Sequence, residues 1–231
     1  MKLHHVASGD GPCVVLIGSL GSNLSMWEPQ LRALRDFKVV RVDLPGHGGS
    51  PIPDAPFTVK DVAHAVCDLV DSPASYVGIS LGGVVAMCVA ANADVDKLVL
   101  ACTKPAFPPR EQWLERAELV RREGMSAIAD AVLARWFTDG APAEYREMLL
   151  ACPPEGYARC CEALADADLS NDLLRIVAPT LVIAAAHDPT VTPDDAKQLP
   201  GRLVLLDDAA HLANADDPDG FNDALLAHLV A

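Results

Sequence analysis

Three short stretches carry residues that could do nucleophilic chemistry together. The first is Gly78-Ile79-Ser80-Leu81-Gly82, a G-x-S-x-G turn that follows the apolar run Tyr76-Val77 and precedes a helix-like run over 84–93. A serine on a sharp strand-to-helix turn projects its hydroxyl beyond the sheet edge, and Gly78 and Gly82 leave room where larger side chains would crowd it. The hydroxyl is a poor nucleophile until a base removes its proton, and the base must itself be oriented by an acid. On such a scaffold the partners follow in the order Ser, Asp/Glu, His, on loops at the carboxyl ends of later strands. Asp188 ends the run Leu181-Val182-Ile183-Ala184-Ala185-Ala186-His187-Asp188, and His211 follows the next apolar run, 202–206. The alternative place for the acid, after the preceding strand, reads Ala101-Cys102-Thr103 and holds none. The expected catalytic set is therefore Ser80, Asp188 and His211.

Acyl transfer also needs donors for a developing oxyanion. Leu81, first in the helix after the nucleophile, offers one backbone N–H. The loop Gly18-Ser19-Leu20-Gly21-Ser22 offers the second, from Ser19 or, alternatively, Leu20. The remaining histidines read differently. His4, His5, His64 and His228 have terminal or helical settings that suit surface or packing roles. His47, in Pro45-Gly46-His47-Gly48-Gly49-Ser50, reads as bonding its own turn, and His187 precedes the last strand.

Elements that could hold these residues alternate along the chain. Runs at 13–17, 38–42, 74–79, 97–102, 180–185 and 202–206 are mostly continuous Val, Leu and Ile, as for strands buried on both faces of a parallel sheet. Ser25 with Glu28 and Thr58 with Asp61 have capping-box spacing, and Thr192-Pro193 places a cap and an N1 proline before 194–199. Alternating strands and helices predict a doubly wound α/β sheet. The alternation breaks at about 103–176, where no strand is legible. There Trp113, Ala117 and Val120 share one helical face and Met125, Ile128, Val132 and Trp136 another. The expected organisation is a core of residues 1–102 and 177–231, with a helical cap over 103–176 inserted into it.

Composition narrows the partners. At 231 residues and 51% hydrophobic, the chain can bury one good core. A formal charge of −14, from 32 acidic against 18 basic residues, disfavours nucleic acid and anionic membranes as partners. No stretch has the length of a membrane span or a secretory leader, so a cytoplasmic location is expected. The seven cysteines form no C-x-x-C pair and read as reduced thiols rather than disulfides or zinc ligands.

With these residues in view, the chain resembles the 3-oxoadipate enol-lactonases of the α/β-hydrolase superfamily. The likeness runs from about Gly18 to Phe221. It rests on Gly18-Ser19-Leu20-Gly21-Ser22 with Met26-Trp27, and on Asp43 with Gly46-His47-Gly48-Gly49-Ser50. Later it includes Ala134-Arg135-Trp136-Phe137-Thr138, Glu155-Gly156-Tyr157-Ala158-Arg159-Cys160-Cys161 and Asp166-Ala167-Asp168-Leu169. His187-Asp188-Pro189 and Ala210-His211-Leu212-Ala213-Asn214 complete it. The resemblance implies an α/β-hydrolase fold, no metal or organic cofactor, and hydrolysis of a small-molecule lactone or ester. The substrate it implies is 3-oxoadipate enol-lactone, within aromatic catabolism by the β-ketoadipate pathway. That substrate carries a carboxylate, which an acidic protein can hold only through a local cation, and Arg135 beside Trp136 is the candidate. A carboxylesterase for other small esters, or a ligand receptor of hydrolase fold without turnover, are the alternatives.

Overall fold

The computed structural model describes residues 1–231 except Ser72. Among the described residues, seven strands form one sheet: β1 (His5–Ser8), β2 (Cys13–Ile17), β3 (Lys38–Val42), β4 (Ser75–Ile79), β5 (Leu98–Ala101), β6 (Thr180–Ala185) and β7 (Arg202–Leu206). Their order is β1-β3-β2-β4-β5-β6-β7, with every pair parallel except β1 against β3. The central strands β4 and β5 are buried throughout, which is why they read as unbroken apolar runs. The strands expected from sequence coincide with β2 to β7, except that β4 starts one residue later than expected and β5 is one residue shorter at each end. β1 was not expected, because its four residues are all exposed and it adds to the sheet only as an antiparallel edge.

The chain winds outward from β2 to β3, then returns to place β4 on the other side of β2. Crevices suited to ligands open at such reversals, outside the carboxyl ends of the strands. The Ser80 turn leaves β4 there, beside the loop that leaves β2. Ile79 pairs with Ala101 and Ile17 with Gly78, so β4 and β5 end level and β2 ends one residue short of them.

Among the described residues, ten α-helices surround the sheet. Those of the core are α1 (Glu28–Leu31), α2 (Val59–Cys67), α3 (Leu81–Ala90), α8 (Pro193–Ala196), α9 (Ala213–Asp216) and α10 (Pro218–Leu229). Thr58 and Asp61 form the expected capping box on α2, and Thr192 with Asp195 forms another on α8. Ser25 is not a cap. Asn23 takes that role, its side chain accepting from the Ser25 N–H at the start of a short 3-10 helix, because that turn begins two residues earlier than the spacing suggested. Every residue of α3 is buried, so its hydrophobicity is uniform rather than one-sided.

Between β5 and β6 the chain forms α4 (Arg110–Glu123), α5 (Ala129–Trp136), α6 (Ala143–Ala151) and α7 (Pro154–Ala165). Among the described residues this segment holds no strand, only an isolated bridge between Ala106 and Asp168. The faces read from sequence are the buried ones: Trp113, Ala117 and Val120 in α4, and Met125, Ile128, Val132 and Trp136 in and before α5. Helix α4 lies on α7, where Arg121 bridges Glu155 and Glu162, and Arg121 with Arg159 holds the Glu155 carboxyl down at about 2. Among the described residues, no helix is long and apolar enough to cross a membrane.

Candidate active site

Ser80 sits between β4 and α3 with φ 56° and ψ −119°, a conformation that L-residues rarely adopt. Its neighbours hold it there. The Ser80 N–H donates to the Ala101 carbonyl at 3.0 Å, and the Thr103 hydroxyl donates to the Ser80 carbonyl at 2.7 Å. A Cβ on Gly78 would stand 2.2 Å from the Gly82 carbonyl oxygen, and one on Gly82 would stand 2.1 Å from that of Ile17. Both positions therefore exclude any side chain, and the strained serine is bracketed by the two glycines that permit it.

Asp188 and His211 meet on loops after β6 and β7. The Asp188 side chain is fully buried and splits its two oxygens between two tasks. Oδ1 accepts from the Thr190 and Val191 N–H groups at 2.7 and 3.0 Å, closing the Asp-Pro turn. Oδ2 lies 2.7 Å from Nδ1 of His211. A carboxylate can only accept there, so Nδ1 carries the proton and Nε2 is left as the free acceptor. Cys102, at the end of β5, lies close enough to Asp188 that burial and this carboxylate push its thiol well up from the ordinary range. It occupies the place where the sequence shows no rival acid.

The His211 loop is fastened to the helical segment by backbone bonds. The His211 N–H donates to the Arg135 carbonyl and the Leu212 N–H to the Trp136 carbonyl, both at 3.1 Å. Asp216 ties the same two pieces from the side, accepting from Ala210 N–H at 2.7 Å and from Thr138 N–H at 3.1 Å. Below the loop, buried Asn214 and Gln30 exchange hydrogen bonds that lock α9 to α1.

One cavity of about 30 Å³ gathers most residues singled out from sequence: Ser19, Leu20, Ser80, Arg135, Trp136 and His211. Asp188 lies behind His211. Leu81 opens α3, so its N–H has no partner within the helix. Also on the cavity wall are Trp113, Arg116, Val132, Tyr157 and Thr190, which sequence reasoning did not assign. Arg116 had one legible signal, its place one turn beyond Trp113 on the α4 face that turns inward. Burial, with Arg116 nearby, pushes the Arg135 guanidinium down from its ordinary range. His187 is exposed and lines a different cavity, with Phe137, Thr138 and Asp208.

His47 does more than bond its own turn. Its Nδ1 meets the Pro45 carbonyl at 2.9 Å, while Nε2 accepts from the Gly21 N–H at 3.0 Å. The ring is completely buried, and that burial pushes its pKa down, so it stays neutral with the proton on Nδ1. Asp43 reinforces the link, accepting from Leu24 N–H at 2.7 Å and Gly49 N–H at 2.8 Å. The loop that carries Ser19 and Leu20 is thus held from the loop after β3.

The parallel sheet, the serine turn and the buried Asp–His pair define a hydrolase of the α/β type. Residues 14–224 match the alpha/beta hydrolase family, and the chain belongs to it. It is 36% identical to 3-oxoadipate enol-lactonase 2 of Acinetobacter baylyi, over 94% of this chain and 88% of that enzyme. It is equally 36% identical to a pimeloyl-[acyl-carrier protein] methyl ester esterase of Methylococcus capsulatus, over 92% of each. Among solved structures, the enol-lactonase from Burkholderia xenovorans LB400 superposes with a TM-score of 0.94 at 35% identity, covering 99% of this chain and 96% of that one.

Proposed function

We propose that the protein is a serine hydrolase that opens an enol-lactone, with 3-oxoadipate enol-lactone, converted to 3-oxoadipate in aromatic catabolism, as the best-supported substrate. The observation that carries the catalytic reading is the His211–Asp188 pair, whose free Nε2 shares a cavity with the strained Ser80. Support for the lactone comes from the enol-lactonase relatives and from the two guanidiniums in that cavity.

In this reading Ser80 Oγ attacks the lactone carbonyl as His211 Nε2 takes its proton. Asp188 fixes the tautomer and steadies the imidazolium. The Leu81 and Ser19 N–H groups receive the oxyanion. Collapse breaks the ring C–O bond and expels an enolate, which takes the proton from His211 and becomes the ketone. Water then attacks the acyl-enzyme, delivering its proton to His211, and the open acid leaves with Ser80 restored. Residues 103–176 act as a cap that supplies Arg135 for the substrate carboxylate and Trp136 for the wall. No metal or organic cofactor enters the scheme, and the setting is cytoplasmic.

The test is direct. The purified protein should consume the enol-lactone with sustained turnover, followed by loss of its ultraviolet absorbance, and Ser80→Ala should not. A single burst without turnover would favour a receptor instead. The second reading, a carboxylesterase for small esters, is favoured by the Methylococcus relative and predicts faster turnover of simple methyl esters than of the lactone.

A further inference from the structure

The cavity around Ser80 has room for little more than a water molecule, yet its wall is shared with a larger neighbour. A second cavity of about 260 Å³ lies against it, and Trp113, Arg116, Arg135 and Thr190 line both. These four side chains are therefore the partition between the two spaces. The outer cavity adds Lys104, whose ammonium stands 3.4 Å from Asp195 and 5.5 Å from the centre of the Phe107 ring.

The charge on these walls contrasts with the rest of the molecule. The chain has 32 acidic residues, yet none is among those lining either cavity. Most other arginines sit in ion pairs, as Arg110 does with Asp166 and Arg146 with Asp130, whereas Arg32 and Arg202 are exposed to solvent. Among the described residues, no carboxylate lies within ion-pair range of Arg116 or Arg135. Instead the two guanidiniums share a partly dehydrated space, where burial first and the charge of Arg116 second push the Arg135 guanidinium down from its ordinary range. Arg116 keeps its place by lying over the Trp113 ring, 4.8 Å from its centre. Two unpaired, half-buried guanidiniums side by side are costly unless an anion joins them.

The geometry points to the outer cavity as an anion-selective vestibule to the Ser80 site, in which Arg116 and Arg135 together receive the carboxylate of a substrate whose ester or lactone carbonyl reaches Ser80. The ligand class is a carboxylic acid that also carries an ester or lactone a few bonds away. This inference rests on the hydrolase reading of the Ser80 cavity and assigns to Arg116 a part that the sequence did not suggest. Because the partition consists of side chains, an incoming carboxylate that pairs with the arginines also moves the groups that separate the two spaces.

The experiment compares an anionic ester, mono-4-nitrophenyl glutarate, with neutral 4-nitrophenyl butyrate. For Arg116→Gln the ratio of their kcat/KM values should fall about ten- to a hundred-fold, as expected for loss of hydrogen bonds to a charged group, with Arg116→Lys intermediate. Added salt should lower kcat/KM for the glutarate ester more steeply than for the butyrate. Independently of turnover, glutarate itself should quench the tryptophan fluorescence of the wild-type protein, since Trp113 lines both cavities, and should do so far more weakly in Arg116→Gln. Thermal melting of each variant checks that it is folded. An unchanged ratio, an equal loss on both esters, or no quenching by millimolar glutarate in the wild type would each overturn the vestibule. Loss of the ratio in a protein that fails to open the enol-lactone would leave the vestibule standing and remove the lactonase reading alone.

Discussion

The Gly21 N–H donates to Nε2 of His47, a bond that joins the loop after β2 to the loop after β3 across 26 residues of chain. It makes the position of Ser19 depend on a buried neutral imidazole. Below about pH 6.5 the unfolded chain takes up a proton that the folded His47 refuses, because burial lowers its pKa. The contribution is complete above that value and is lost as pH falls toward the folded pKa. His47→Gln is expected to flatten the fall in stability between pH 7 and 5, measured by urea unfolding at several pH values. The depressed His228 contributes in the same sense and remains in the variant. At pH 7 the variant should lose roughly 1–3 kcal/mol for the disturbed Gly21 donor. A slope identical to wild type would mean that His47 does not stay neutral.

Ser80→Ala should fold normally and lose about 10⁶ in kcat on any ester or lactone. A fluorophosphonate probe should label the native protein at Ser80 and leave the heat-denatured protein unlabelled. Retention of more than a few per cent of activity would point to another nucleophile.

Asp188→Asn replaces an acceptor with a group that can donate to Nδ1, which would put the imidazole proton on the wrong nitrogen. The expected loss is about 10⁴ in kcat at neutral pH. His187→Ala, at an exposed residue outside the Ser80 cavity, should change the rate by less than three-fold or so, the scale of a surface substitution. Comparable losses in the two variants would mean that the wrong histidine loop has been credited.

Asp216 is not among the residues lining the Ser80 cavity, yet it accepts from Ala210, next to His211, and from Thr138, just after α5. Asp216→Ala should lower kcat more than it raises KM, since it loosens the base rather than the binding walls. Steady-state kinetics with one ester reads this split. A pure KM effect would show that Asp216 acts on the cavity instead.

Much of this arrangement is legible in the sequence alone. The Ser80 turn and the strands at 13–17 and 180–185 were legible because burial on both faces leaves continuous apolar runs, and Asp188 and His211 follow strands in a fixed order. The edge strand β1 was not, since four exposed residues ending in Ala7-Ser8 carry no periodicity to detect. Arg116 was hidden for another reason. As a residue type it reads like Arg110, Arg121 and Arg122; its place one turn after Trp113 is the single sequence signal, and the approach of α5 and α7 turns that place into a cavity wall. The outward bond of His47 was equally invisible, because its partner Gly21 is brought near by the sheet and not by the sequence. The side chains of Arg135 and Trp136 mark them in the sequence, whereas their carbonyls also hold the histidine loop, a role that any residue type could fill.

The two bonds from the Arg135 and Trp136 carbonyls to His211 and Leu212 bear on how the molecule moves. A helix that covers a site is commonly pictured as a hinged lid, opening over microseconds to milliseconds. Here an outward swing of α5 would part both bonds and the Asp216 bridge, removing the support of the base at the moment of opening. Opening and catalytic competence would then be mutually exclusive states. Rotation of the half-buried Arg116 and Arg135 side chains in the partition leaves those bonds intact. Turnover in such a molecule would be paced by its chemistry, and relaxation-dispersion NMR of the α5 amides should find them quiet during catalysis.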